Sequence, residues 1–160
     1  MLVSCRLIFL QEVFLNLTGN EYLKCIIQLY RQNAVKAKET LERLSTAFKL
    51  ERSLNEYIAN YSLGMKQKVY LIAAFLSGAG NLILDEPFNG LDPESVATLK
   101  KFLIEYRDAG NLVLFSAHNL DLVANFCDYV VFIDKQRKVF QFENPRDFVQ
   151  LEDAFFQTCV

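Results

Sequence analysis

The chain has 160 residues, with 17 Lys and Arg against 19 Asp and Glu, a formal charge of −2. That size fits one domain and leaves little room for two complete ones. At 52% hydrophobic and 22% charged, with only 3 Pro and 6 Gly, it is neither disordered nor fibrous, and the near-neutral balance argues against holding nucleic acid through excess Lys and Arg.

From the N-terminus, Leu7-Ile8-Phe9-Leu10 predicts a short buried strand. Ser4, Cys5 and Arg6 interrupt the apolar start, which argues against a secretory leader. After a polar break at Gln11-Glu12, Thr18 and Glu21 have the spacing of a capping box, and Leu23, Ile26, Ile27 and Tyr30 follow at helical intervals. A second helix is predicted from about Ala34 to Phe48, with Ala37, Leu41, Leu44 and Phe48 on one stripe. A polar stretch from Glu51 to Asn60 leads to a third helix that starts around Tyr61 to Gly64 and runs to Leu76. Its apolar run, Val69 to Leu76, is eight residues long, against about 20 for a membrane span.

Beyond Ser77-Gly78-Ala79-Gly80 the pattern changes. Asn81 to Asp85, Leu112 to Phe115 and Tyr129 to Ile133 are short apolar runs separated by helical patterns at Val96 to Tyr106 and Leu120 to Phe126. That alternation predicts a parallel sheet covered on both faces. Lys135 to Lys138 reads as a turn into a closing strand, Val139 to Phe142, and Asn144-Pro145 as the start of a last helix. The four cysteines, at 5, 25, 127 and 159, lack CxxC spacing and read as small core residues in a reducing compartment. Residues 12–76 are therefore mostly helical and residues 80–160 α/β with a C-terminal helix, packed as two lobes.

The strongest chemical signal is Leu82-Ile83-Leu84-Asp85-Glu86-Pro87-Phe88-Asn89-Gly90-Leu91-Asp92-Pro93. A buried strand ends there in two adjacent carboxylates, and in open parallel sheets ligands sit at the carboxyl ends of strands. One acid can hold a hydrated Mg²⁺ and the second can polarise a water. A bare acid pair after a strand is more often just the start of a loop; the whole string makes that reading poor.

This string resembles the Walker B motif and D-loop of the ATP-binding cassette (ABC) ATPases. Tyr61-Ser62-Leu63-Gly64-Met65-Lys66-Gln67-Lys68 resembles the ABC signature, with Gly64 lying 17 residues before Asn81. Phe115-Ser116-Ala117-His118 resembles the strand end that carries the switch histidine, 32 residues after Glu86. A lone histidine at a strand end is more often structural, but its context and spacing favour the switch reading. The resemblance runs from Leu17 nearly to the C-terminus and implies a P-loop NTPase-type parallel sheet with an ABC-type helical lobe. It also implies two such domains stacked head to tail around ATP and Mg²⁺. By the same resemblance Asp85 holds Mg²⁺ through water, Glu86 is the general base, and His118 contacts the γ-phosphate. Ser62, Leu63 and Gly64 face the partner's ATP, and Asp92 reaches across the dimer seam. Ser62 also reads as an ordinary helix cap, and the two roles are compatible because the cap builds the anion site. Leu63 stands where many relatives carry Gly or a polar residue.

The sequence departs from the family in one respect: it contains no GxxxxGK(S/T), the loop that cradles the triphosphate. The chain therefore reads as an incomplete domain, the C-terminal two-thirds of the ABC unit. Gln11 stands in the context of the family's Q-loop glutamine, about two residues too close to Leu17, and reads equally as a surface residue. Three functions remain open. The first is the ATPase subunit of a membrane exporter, cytoplasmic and peripheral, bound to a permease and inactive alone. The second is a non-enzymatic remnant or partner that lends only the signature half-site to a complete domain. The third is a split ATPase, disfavoured by the absence of long heptad repeats.

Overall fold

The computed structural model describes residues 2–5, 12–133, 136 and 138–159. The expected strand at Leu7–Leu10 and the Gln11 position lie outside those residues. Contacts divide the chain into two compact units, Met1–Ser116 and Ala117–Val160.

In the first unit, β1 (Leu2–Cys5), β2 (Asn81–Leu84) and β3 (Leu112–Phe115) form a parallel sheet in that order. Cys5, Leu84 and Phe115 stand level at its carboxyl end. Short helix α1 (Glu12–Leu15) precedes α2 (Gly19–Leu29), α3 (Ala34–Ala47), a 3-10 turn (Ile58–Asn60), α4 (Leu63–Leu76) and, after β2, α5 (Pro93–Asp108). The start of α2 is set locally. The Glu21 amide donates to Thr18 Oγ1 at 3.2 Å and the Thr18 amide donates to Glu21 Oε2 at 2.8 Å, which satisfies two helix-start donors reciprocally.

Helix α4 packs against both α2 and α3. It buries Val69, Leu71, Ile72, Ala73, Ala74 and Leu76, a nearly all-round apolar surface of the kind that marks a central helix. The segment between α3 and α4 is polar in composition but anchored by buried Leu50, Leu54 and Ile58. The Ile58 amide donates to Leu17 O at 2.9 Å, so this segment folds back onto the approach to α2. Helix α4 leads into β2 through residues 77–80, and Gln67 near the start of the helix donates to Pro87 O just past the end of the strand.

The second unit contains α6 (Leu120–Phe126), β4 (Tyr129–Ile133), β5 (Val139–Glu143) and α7 (Phe148–Cys159). Its core gathers Ala124, Val130, Phe132 and Leu151, with Phe142 and Phe155 edge-on to Phe132.

Four sequence expectations are corrected. Tyr129–Ile133 does not join the parallel sheet; it pairs antiparallel with β5. A short connection suffices for an antiparallel pair, whereas a parallel pair needs a crossover. The strands are not covered on both faces: Leu112 and Leu114 of β3, and Tyr129, Val131 and Ile133 of β4, are exposed. Asn144-Pro145 does not start the last helix. Arg146 takes a left-handed φ of 56° that interrupts helical backbone, and α7 begins after Asp147, whose Oδ1 accepts the Gln150 amide at 2.9 Å. The buried Asn144 instead donates through Nδ2 to Val123 O, Ala124 O and Cys127 O, closing the end of α6. Cys25 is exposed and Cys127 half-buried rather than core. Cys25 stands two residues from the fully buried Leu23, about 200° around the helix.

Candidate functional site

The end of β2 builds one half of the site. The Ser116 amide donates to Leu84 O at 3.0 Å, which carries the β2–β3 ladder one residue past its last paired position. This sets Ser116 level with Asp85. Ser116 Oγ donates to Asp85 Oδ1 at 2.6 Å and accepts the Glu86 amide at 2.9 Å. Glu86 adopts φ 46°, a left-handed conformation that costs a side-chain-bearing residue about 1–2 kcal/mol. The chain then turns, with the Asn89 amide donating to Glu86 O at 3.1 Å. Phe88 lies edge-on to Phe115, with ring centroids 5.5 Å apart, and pins the turn to β3.

The start of α4 builds the other half. Ser62 is its N-cap, and Oγ accepts the Met65 amide at 3.2 Å. The first turn contains no acid and is succeeded by Lys66 and Lys68. Remaining helix-start amides and the helix dipole favour an anion at such an end. Leu63 is 74% exposed, an apolar side chain presented to solvent beside those amides.

Three contacts join the halves. An added Cβ on Gly64 would lie 2.7 Å from Gly90 O, so the two backbones meet at a distance only glycine allows. Gln67 Nε2 donates to Pro87 O at 3.1 Å. Lys68 Nζ donates to Asp92 Oδ2 at 3.0 Å, with the Lys68 side chain largely covered and Asp92 half exposed. Asp92 is also the N-cap of α5: its Oδ1 accepts the Ser95 amide at 2.9 Å and its Oδ2 the Ser95 hydroxyl at 2.8 Å. These bonds, first the Ser95 amide and then Lys68 and the Ser95 hydroxyl, hold the Asp92 carboxyl well below the usual carboxylate range. Its carboxylate is thus engaged within its own chain.

Ser62, Leu63, Gly64, Asp85, Glu86 and Asp92 therefore fall on one connected framework. His118 belongs to the second unit, exposed and just before Asn119, the N-cap of α6. Sequence reading assigned no role to Ser116, Gln67 or Lys68. The signal for Ser116 was its place directly after a strand that runs parallel to the one ending in Asp85. Gln67 and Lys68 fall one helical turn past Gly64, on the side of α4 that meets the Pro87–Asp92 loop, but nothing local indicates their partners.

Asp85 suits a hard cation held through water. It is exposed at the end of the strand, its Oδ1 is fixed by Ser116, and Oδ2 has no hydrogen-bond partner among the described residues. Those residues contain no cluster of three metal-ligating side chains. A single carboxylate could hold Mg²⁺, which keeps several waters and takes one or two carboxylates plus substrate phosphates.

A family model described as "AAA domain, putative AbiEii toxin, Type IV TA system" matches residues 10–124. The chain is 35% identical over 125 residues to the putative ABC transporter ATP-binding protein AlbC of Bacillus subtilis (strain 168), covering 78% of this chain and 52% of AlbC. The chain belongs to the ABC transporter ATP-binding domain family. It is also 33% identical to the bacitracin transport ATP-binding protein BcrA of Enterococcus faecalis, over 72% of this chain and 37% of BcrA. A solved ATP-binding subunit of an ABC transporter superposes with a TM-score of 0.81 at 28% identity, covering 89% of this chain and 64% of that one. The ABC chain described here thus spans about half or less of the length of these curated relatives. Its fold is of the P-loop NTPase type, with a small parallel sheet. Among its described residues no helix is long and apolar enough to cross a membrane.

Proposed function

We propose that this ABC chain is part of the ATP-driven motor of a membrane exporter, and that its own residues supply the signature half-site together with the acids that act on water. The observation that carries this reading is the joining of the Ser62-capped end of α4 to the Asp85-Glu86 loop through Gln67 and Pro87. Residues 12–76 form the signature lobe and residues 80–160 the α/β lobe. The chain works on the cytoplasmic face of a membrane, docked on a permease and paired with a second ABC domain, without nucleic acid. The similarity to AlbC and BcrA supports the transporter assignment, and the Leu-Thr-Gly start and GMKQK form support the exporter branch.

In this reading Asp85 holds Mg²⁺ through water. When bound, the ion neutralises phosphate charge that would otherwise repel the attacking oxygen. Glu86 accepts a proton from the attacking water, and its fixed backbone sets where that carboxylate sits. Ser62, Leu63 and Gly64 present hydroxyl and amide donors to the γ-phosphate bound by the partner domain, where charge accumulates during transfer. His118 acts as the switch histidine that contacts a γ-phosphate, Asp92 reaches across the dimer seam, and Gln11 serves as the Q-loop glutamine.

A second reading is a partner that lends only Ser62 and Gly64 to a complete ABC domain. It is favoured by an intact signature start in a sequence without GxxxxGK(S/T). Calorimetric titration with ATP and Mg²⁺, together with phosphate release, tests both. The chain alone is expected to bind weakly and release no phosphate. Micromolar binding with steady release that disappears in Glu86→Gln would overturn the inactivity of the isolated chain. If a complete ABC domain is stimulated equally by this chain and by its Glu86→Gln variant, but not by Ser62→Ala, the lending role is the correct one.

A further inference from the structure

We propose that Ser116 is the positioning residue of the acid pair, a single hydroxyl that orients Asp85 and locks Glu86 into its left-handed backbone. This rests on the reading of Asp85 and Glu86 as the metal and water acids. A serine hydroxyl has one proton to donate and lone pairs to accept. Here the proton goes to Asp85 Oδ1 at 2.6 Å and a lone pair takes the Glu86 amide at 2.9 Å.

The two bonds act on consecutive residues at the end of β2 from one atom at the end of β3. They are in register because the Ser116 amide already donates to Leu84 O. The carboxylate of Asp85 is thereby turned so that Oδ1 faces Ser116 at the end of β3. The Glu86 amide is held where φ is 46°, a conformation that persists only where its surroundings over-determine it. Ala at 116 would keep the strand and remove both bonds. Thr would keep the hydroxyl and suits the end of a strand.

The readouts track the geometry rather than turnover. In the full 160-residue chain, nuclear magnetic resonance is expected to detect a cross-peak between the Ser116 β-methylene protons and the Glu86 amide. Ser116→Ala is expected to speed hydrogen exchange at the Glu86 amide about tenfold relative to the β2 amides, the size of one lost hydrogen bond, and Ser116→Thr to restore it. Mn²⁺ alone, as a paramagnetic probe, is expected to broaden the Asp85 and Glu86 resonances of the wild type. At the same Mn²⁺ concentration the broadening should be several-fold weaker in Ser116→Ala and regained in Ser116→Thr.

If Ser116→Ala leaves both Glu86 exchange and Mn²⁺ broadening as in the wild type, the positioning role is wrong while the acid-pair reading stands. If Mn²⁺ broadens neither acid in the wild type, the acid-pair reading itself fails. Should Ser116→Ala not fold, the Ser116–Glu86 cross-peak and the Ser116→Thr variant decide. Absence of the cross-peak in the wild type overturns the proposal, and so does a loss of Glu86 protection in Ser116→Thr.

Discussion

Replacing Gly64 by Ala sets two effects of opposite sign against each other. In a helix, Ala is favoured over Gly by about 1 kcal/mol, so propensity alone predicts a more stable chain. Against this, the new Cβ would sit 2.7 Å from the backbone oxygen of Gly90. Relief requires one backbone to retreat by roughly half an ångström, and overpacking of this kind costs about 1–3 kcal/mol. The retreat is resisted on both sides. Gly90 has φ 75°, and the loop that contains it is held to α4 by Gln67–Pro87 and Lys68–Asp92. The expected net loss is up to about 2 kcal/mol, a fall in Tm of up to about 8 °C for a chain of this size. Thermal unfolding monitored by circular dichroism measures it. In a Gln67→Ala background the same substitution is expected to cost less, because the loop is freer to move. A Gly64→Ala chain that melts above the wild-type temperature, as propensity alone predicts, would refute the close approach of the two glycines.

Three further outcomes are expected. Asp92→Asn keeps a side chain that can cap α5 but leaves Lys68 largely covered without its anion. It should destabilise by about 1 kcal/mol, and a double-mutant cycle with Lys68→Met by urea denaturation should return a coupling of similar size, whereas strict additivity would dismiss the ion pair. The Glu21 carboxyl is held below its ordinary value of 4.5, chiefly by the Thr18 amide. A depressed folded pKa gives stability that is present above the unfolded value and lost as pH falls through the folded one. The gap in urea midpoint between wild type and Glu21→Gln should therefore close on acidification below 4.5; a gap that does not change with pH would remove the capping box as its source. Asn144→Ala leaves the carbonyls of Val123, Ala124 and Cys127 without that donor. It should cost about 2–3 kcal/mol, read as faster amide exchange in α6, and unaltered exchange would contradict the closing role of Asn144.

Much of the fold was legible because its determinants lie within a few residues of each other. The Thr18–Glu21 pair, the stripe along α3 and the apolar runs that became β2, β3, β4 and β5 each depend on spacing alone. The illegible features depended on partners far along the chain. Asn144-Pro145 carries the local marks of a helix start, yet the Asn144 side chain went to carbonyls about 20 residues earlier. Tyr129–Ile133 is as apolar as a strand covered on both faces, yet one of its faces is exposed, because composition records what a residue tolerates rather than what is placed against it.

By itself the sequence determined the order of the motifs and the caps that start the helices, Thr18 for α2 and Ser62 for α4, since a cap and its amide are three residues apart. Only the tertiary structure decided that Gly64 meets Gly90, that Lys68 pairs with Asp92, and that one hydroxyl on Ser116 serves both acids. Such contacts arise when strand register and helix packing bring segments 24–31 residues apart to within a hydrogen bond, and no local pattern encodes that distance.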